Sequence, residues 1–141
     1  PATSSAPAAA VAPPANAGNE RCPDERVVSA GSRETPEGTL YLAYAAALGA
    51  DDDATFEAFR ALWQPDAMTS HVREAIWPRV REHVGKYVAG PADPTFTLCR
   101  QVDIGGGRVK LFVKSGAPEK SDPPSILLRG DAGWMIDVMT P

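Results

Sequence analysis

Four short stretches of alternating side chains, set between Thr95 and Met139, restrict the fold more than anything else in the sequence. They run over residues 95–104, 108–115, 125–129 and 133–139. The glycines at 105–107 and the tetrad Gly130-Asp131-Ala132-Gly133 fall where tight hairpin turns need residues that tolerate positive φ. An antiparallel meander of four strands is expected. In a strand, alternate side chains share a face. Phe96, Leu98, Arg100, Val102 and Ile104 therefore fall on one side of the first strand, with Cys99 on the other. Val109, Leu111 and Val113 share a face of the second, and Trp134, Ile136 and Val138 alternate with Met135, Asp137 and Met139 on the last. One side of the sheet is then continuously apolar and suited to receive helices. The opposite side is mixed and includes Phe112, Leu127, Met135 and Met139.

The preceding chain supplies those helices. Thr35-Pro36-Glu37 is a helix start: the threonine can cap, the proline suits the first helical position, and the carboxylate favours the positive end of the helix dipole. Leu40, Tyr41, Tyr44, Ala45 and Leu48 follow at helical spacing, up to Gly49. Asp51-Asp52-Asp53 lacks the alternating ligands, central glycine and closing glutamate of a calcium loop. It reads instead as the cap of a second helix carrying Phe56, Phe59, Leu62 and Trp63, and ending near Gln64 before Pro65. A third helical region opens at Thr69 or Ser70 and places Ile76, Trp77, Val80, Val84 and Tyr87 on one stripe, with a kink or a join of two short helices expected at Trp77-Pro78. The fold class is thus α+β, with N-terminal helices on one face of a curved four-stranded antiparallel sheet.

Residues 1–18 contain eight Ala, four Pro and no charge, too little apolar surface to offset ordering entropy, and are expected to form a disordered tether. Such tethers follow a secretion signal or a lipid-modified cysteine in bacterial envelope proteins, and an interdomain linker has the same composition. Residues 19–34 read as an extended arm, and residues 35–141 as the folded domain. The net charge of -4 and the scattered Lys and Arg leave no footprint for a nucleic-acid backbone. No apolar run approaches the roughly 20 residues that cross a bilayer as a helix. Cys22 and Cys99 fit no zinc spacing. In an oxidising compartment the pair reads as one disulfide, closing a loop of roughly 76 residues and contributing about 4 kcal/mol. The alternative is two unrelated thiols. A bond would draw the arm across the outer side of the sheet, over Phe112, Leu127, Met135 and Met139; without that cover the same patch would drive a homodimer.

Few side chains suggest chemistry. Arg100, placed by alternation among inward apolar residues, needs an anionic partner: a ligand carboxylate or phosphate, a helix carboxylate, or solvent reached from an edge. Tyr44, Trp77 and Tyr87 belong to helical core stripes, yet their polar tips could line a cleft mouth. His71 and His83 are too far apart to share a metal. The serines, including Ser121, lack a nucleophile-elbow context, Gly105-Gly106-Gly107 lacks the lysine and helix of a phosphate loop, and Asp137 points by parity to the outer face. No catalytic residue, metal site or cofactor is assigned.

Helices followed by an antiparallel sheet, opened by Thr35-Pro36-Glu37 and closed by Gly133-Trp134-Met135-Ile136-Asp137, resemble the NTF2-like superfamily over residues 35–139. Within it, the small exported DUF4878-type lipoprotein domains are the nearest in pattern. The resemblance implies a cone whose helices cap the sheet, leaving a cleft that is catalytic, ligand-binding or filled. The expectation is a non-catalytic binding or assembly module of an exported bacterial envelope protein, with or without a lipid anchor, meeting a small ligand, a peptide or another envelope protein. The competing expectation is an isomerase or dehydratase acting in the cleft. A cavity holding Arg100 beside an acidic or imidazole group would favour the enzyme; a packed gap would favour assembly.

Overall fold

The helix starts are built as their sequences dictate. The Thr35 hydroxyl accepts a hydrogen bond from the Gly38 amide at 3.0 Å, and Pro36 opens helix α1 (Pro36–Leu48). The Asp52 carboxylate accepts from the Thr55 amide at 2.8 Å, which holds its carboxyl below the usual range, and α2 (Asp53–Arg60) follows. These bonds satisfy amides that have no partner inside the helix. The chain is a computed structural model describing residues 22–116 and 124–140. The tether expected over 1–18, the first residues of the arm, and Ser121 lie outside the described residues.

Helix α2 stops short of Gln64 because the next residues are used by the sheet. The Ile136 amide donates to Leu62 O at 2.8 Å and the Gln64 amide to Ile136 O at 2.9 Å, so residues 62–64 lie along the edge of the last strand. The third helical region begins at Thr69 as α3 (Thr69–His71), widens into a π segment over Val72–Ile76, and continues as α4 (Trp77–His83) and a 3-10 turn (Val84–Lys86). The Trp77 amide reaches back to Val72 O. That wider turn removes the clash a proline ring makes with the preceding α turn, and it puts Pro78 at the start of α4, where a missing N–H costs nothing. The join at Trp77 takes this form.

Among the described residues the sheet has six strands, all antiparallel: β1 (Arg26–Val28), β2 (Val88–Gly90), β3 (Asp93–Gly105), β4 (Arg108–Val113), β5 (Pro124–Gly130) and β6 (Gly133–Met139). Its order is β1-β3-β4-β5-β6, open rather than closed, with β2 paired to the start of β3. The expected four strands are therefore joined by two three-residue ones, which have too few side chains to show alternation and exist by pairing with β3. The architecture is α+β, with the helices on one face.

Cys22 and Cys99 are disulfide-bonded, 77 residues apart in sequence, and both are buried. The arm does not cross the outer side of the sheet as expected. Instead it runs along the edge of β3: the Asp24 amide donates to Cys99 O at 3.1 Å, the Gln101 amide to the Asp24 carboxylate at 2.9 Å, and β1 pairs with residues 96–98.

Two bulges correct the face assignment. On β3, Leu98 lies opposite Val113 but Arg100 lies opposite Phe112, so the register slips by one residue at Cys99. A bulge of this kind turns every later side chain over. Phe96 and Leu98 point into the core, whereas Arg100, Val102 and Ile104 emerge on the outer face and are exposed. On β6 the slip falls at Asp137, between the pairs of Leu127 with Ile136 and of Ile126 with Val138. Met139, expected outside, is 4% exposed in the core, and Val138, expected inside, is 45% exposed. Leu127 is likewise buried, opposite Val109.

The far edge of β6 is sealed by the segment before α1. The Trp134 amide donates to Arg33 O at 2.7 Å, and the Arg33 guanidinium and the Thr39 hydroxyl both donate to Trp134 O. Gly133, at φ +124°, allows this approach, since a Cβ there would sit 2.5 Å from Arg33 O.

Candidate functional site

The gap between helices and sheet, where a cleft would lie, is filled from both sides. Helix α1 contributes Leu40, Ala43, Tyr44 and Ala47, the sheet contributes Phe96, Leu98, Leu111, Leu127 and Ile136, and all are buried. Tyr44 packs edge-on against Phe96, with ring centres 5.2 Å apart, and lies 6.4 Å from Tyr87. Beside these two tyrosines, Val80, Val84 and Met139 leave a void of about 10 Å³, room for a single water at most.

Of the four expected ligand-binding residues, Tyr44 and Tyr87 are together. Trp77 lies in a separate aromatic cluster, 5.7 Å from Phe56 and 4.8 Å from Phe59, with its indole N–H donated to Asp51 at 3.2 Å. Arg100 is on the opposite side of the sheet from all three.

Burial pushes the Tyr44 phenol far above its ordinary range, with a smaller contribution from the neighbouring Tyr87, and burial also raises Tyr87. Neither is poised to act as a base near neutral pH. The shift has a consequence for stability. In the unfolded chain a tyrosine ionises near pH 10, while the buried Tyr44 keeps its proton to higher pH. Stability from this group is therefore complete below about pH 10 and is lost as the pH rises above it. Urea midpoints measured from about pH 8 to pH 11 should fall at the alkaline end, and Tyr44→Phe should flatten that fall. An equal fall in the variant would place its origin elsewhere.

The charged side chains of the helices serve the fold. Arg81 donates to Ala47 O at 3.1 Å and Gly49 O at 2.7 Å, closing the C-terminal end of α1, and stacks over Trp77. Arg60 donates to Ala67 O at 2.7 Å and holds the loop before α3. Arg73 pairs with Asp53 over the Phe56 ring. His71 is exposed, and His83 lies on the helix surface between Glu82 and Lys86. Asp137 is taken by Arg108, 3.0 Å away. Among the described residues no group of three or more His, Cys, Asp or Glu could hold a metal ion.

One open groove, about 580 Å³, separates the Ser32–Glu34 segment from the β5–β6 turn, another of about 400 Å³ lies near Lys86 and Lys114, and a third of about 210 Å³ runs between His71 and Asp137. What alternation could not reveal is the composition of the outer sheet face, because it depends on the bulges at Cys99 and Asp137. The chain matches no known family model, no curated protein and no solved structure.

Proposed function

We propose that this chain is a non-catalytic binding or assembly module of an exported bacterial envelope protein, built on an NTF2-like plan. The observation that carries the reading is the filled gap: the tyrosines that would line a cleft pack against Phe96 and leave about 10 Å³. The isomerase or dehydratase reading needs an acid or base facing such a cleft. Arg100 is on the outer side of the sheet, His83 is at the helix surface, and Asp137, which lines a groove of about 210 Å³ with His71, is held by Arg108. An NTF2-like plan is supported by the order of helices before sheet, and by Thr35 capping α1 at the Thr-Pro-Glu start.

The compartment is supported by the buried Cys22–Cys99 bond, since disulfides persist in oxidising surroundings and are rare in the cytosol. Fractionating the source cells and trapping thiols on lysis tests this directly. The protein is expected in the envelope fraction with neither cysteine alkylated. Recovery from the cytosol with both cysteines alkylated would overturn the reading.

A further inference from the structure

Among the described residues the helices lie on one face of the sheet, and the bulges give the other face a distinct character. In register across four strands stand Val102, Lys110, Ile126 and Val138. Val102, Ile104 and Val138 are 37%, 45% and 45% exposed, and Val102 and Ile104 are carried on the hairpin that β3 and β4 form. Between these aliphatic side chains lie cations. Arg108 is paired with Asp137, but Arg100 and Lys110 meet no carboxylate among the described residues. In a chain of net charge -4, this face is a local reversal of sign.

We propose that the outer sheet face docks on an anionic lipid surface. A second copy of the chain fits poorly: stacking the face on itself would press Lys110 against aliphatic side chains and bring like charges together, while Asp137 is already paired with Arg108 and does not offset their desolvation. A protein partner is the weaker match as well. Protein interfaces draw most of their energy from Tyr, Trp and Arg and are depleted in Lys, whereas here the most exposed apolar groups are aliphatic, the aromatic Phe112 is partly covered by Lys110 at 5.3 Å, and Arg108 is already paired with Asp137. A bilayer offers both halves of the match. Phosphate headgroups meet the cations, and the boundary with the acyl chains accepts short apolar side chains. Lysine and arginine stems lie along the apolar surface while their charged ends reach the headgroups.

The inference deepens the reading of an envelope module and takes the compartment from it. The test uses the oxidised full chain with vesicles of phosphatidylcholine alone, or with about a quarter phosphatidylglycerol, at about 0.1 M salt. Co-sedimentation is expected with the anionic vesicles and not with the neutral ones. The double variant Arg100→Glu/Lys110→Glu, folded by circular dichroism, should bind at least about tenfold more weakly, while Arg79→Glu, on the exposed side of α4, should bind like the parent. Equal loss in both variants would mean attraction without a docking face and would overturn the proposal. So would a dimer in analytical ultracentrifugation that the double variant abolishes. Absence of vesicle binding, in a protein whose cysteines are bonded in the envelope fraction, would sink the lipid surface and leave the exported module standing.

Discussion

Replacing Phe59 by alanine is expected to destabilise the domain by about 3 to 5 kcal/mol, the upper range for truncating a buried side chain. Phe59 is wholly buried, with ring centres 6.0 Å from Trp63 and 4.8 Å from Trp77. The cost of such a change depends on whether neighbours can collapse into the space left behind. Here they are restrained. The Trp63 backbone is held between the bonds that Leu62 and Gln64 make to Ile136, and Trp77 is tied to Asp51 through its indole N–H. Urea unfolding read by far-ultraviolet circular dichroism should show a lower midpoint with an unchanged slope, since the surface exposed on unfolding is nearly the same. A loss below about 1 kcal/mol would show that the two tryptophans close the space and that the cluster is soft. Trp134→Ala is the useful contrast: Trp134 is only partly buried against the core, so its truncation should cost less, although alternation alone ranks it with Ile136.

That contrast marks the boundary of what could be read from residues alone. Helix starts were legible because capping is local chemistry: Thr35 and Asp52 meet amides three residues on, whatever the rest of the chain does. The disulfide was legible as one of two readings, since two cysteines admit a single pairing. Side-chain direction in a strand is different, because it accumulates along the chain and one extra residue reverses everything after it. Neither Cys99 nor Asp137 announces a bulge by its type. The inward Arg100, the inward Val138 and the outward Met139 were therefore misplaced by the same cause. The outer face, which carries the proposed lipid contact, could not be composed until those slips were known. The short strands β1 and β2 were invisible for a separate reason: three residues acquire a strand's geometry only from a partner distant in sequence.

Removing the bridge by Cys22→Ser together with Cys99→Ser should lower stability by about 4 kcal/mol and the melting temperature by on the order of 15 °C. The bond joins positions 77 apart in sequence, so its loss frees a large unfolded ensemble, and both sulfurs are buried where serine hydroxyls would lack the same packing. A drop under about 1 kcal/mol would mean that the unfolded chain stays compact without the bridge. The location of the loss is as informative as its size. Cys99 sits where β3 slips register, and its carbonyl receives the Asp24 amide while Asp24 in turn receives the Gln101 amide. The bond thus pins β1 and the bulge together. Hydrogen exchange below the melting transition should show protection falling first in Arg26–Val28 and around the bulge at residues 99–101, while β5 and β6, paired to each other and backed by α1, stay protected. If the bulge relaxes, Arg100 and Val102 lose their fixed outward direction, and the double serine variant should bind anionic vesicles more weakly even where it remains folded. Uniform loss of protection across all six strands would instead mean that the bridge stabilises the whole domain and leaves the outer face as it was.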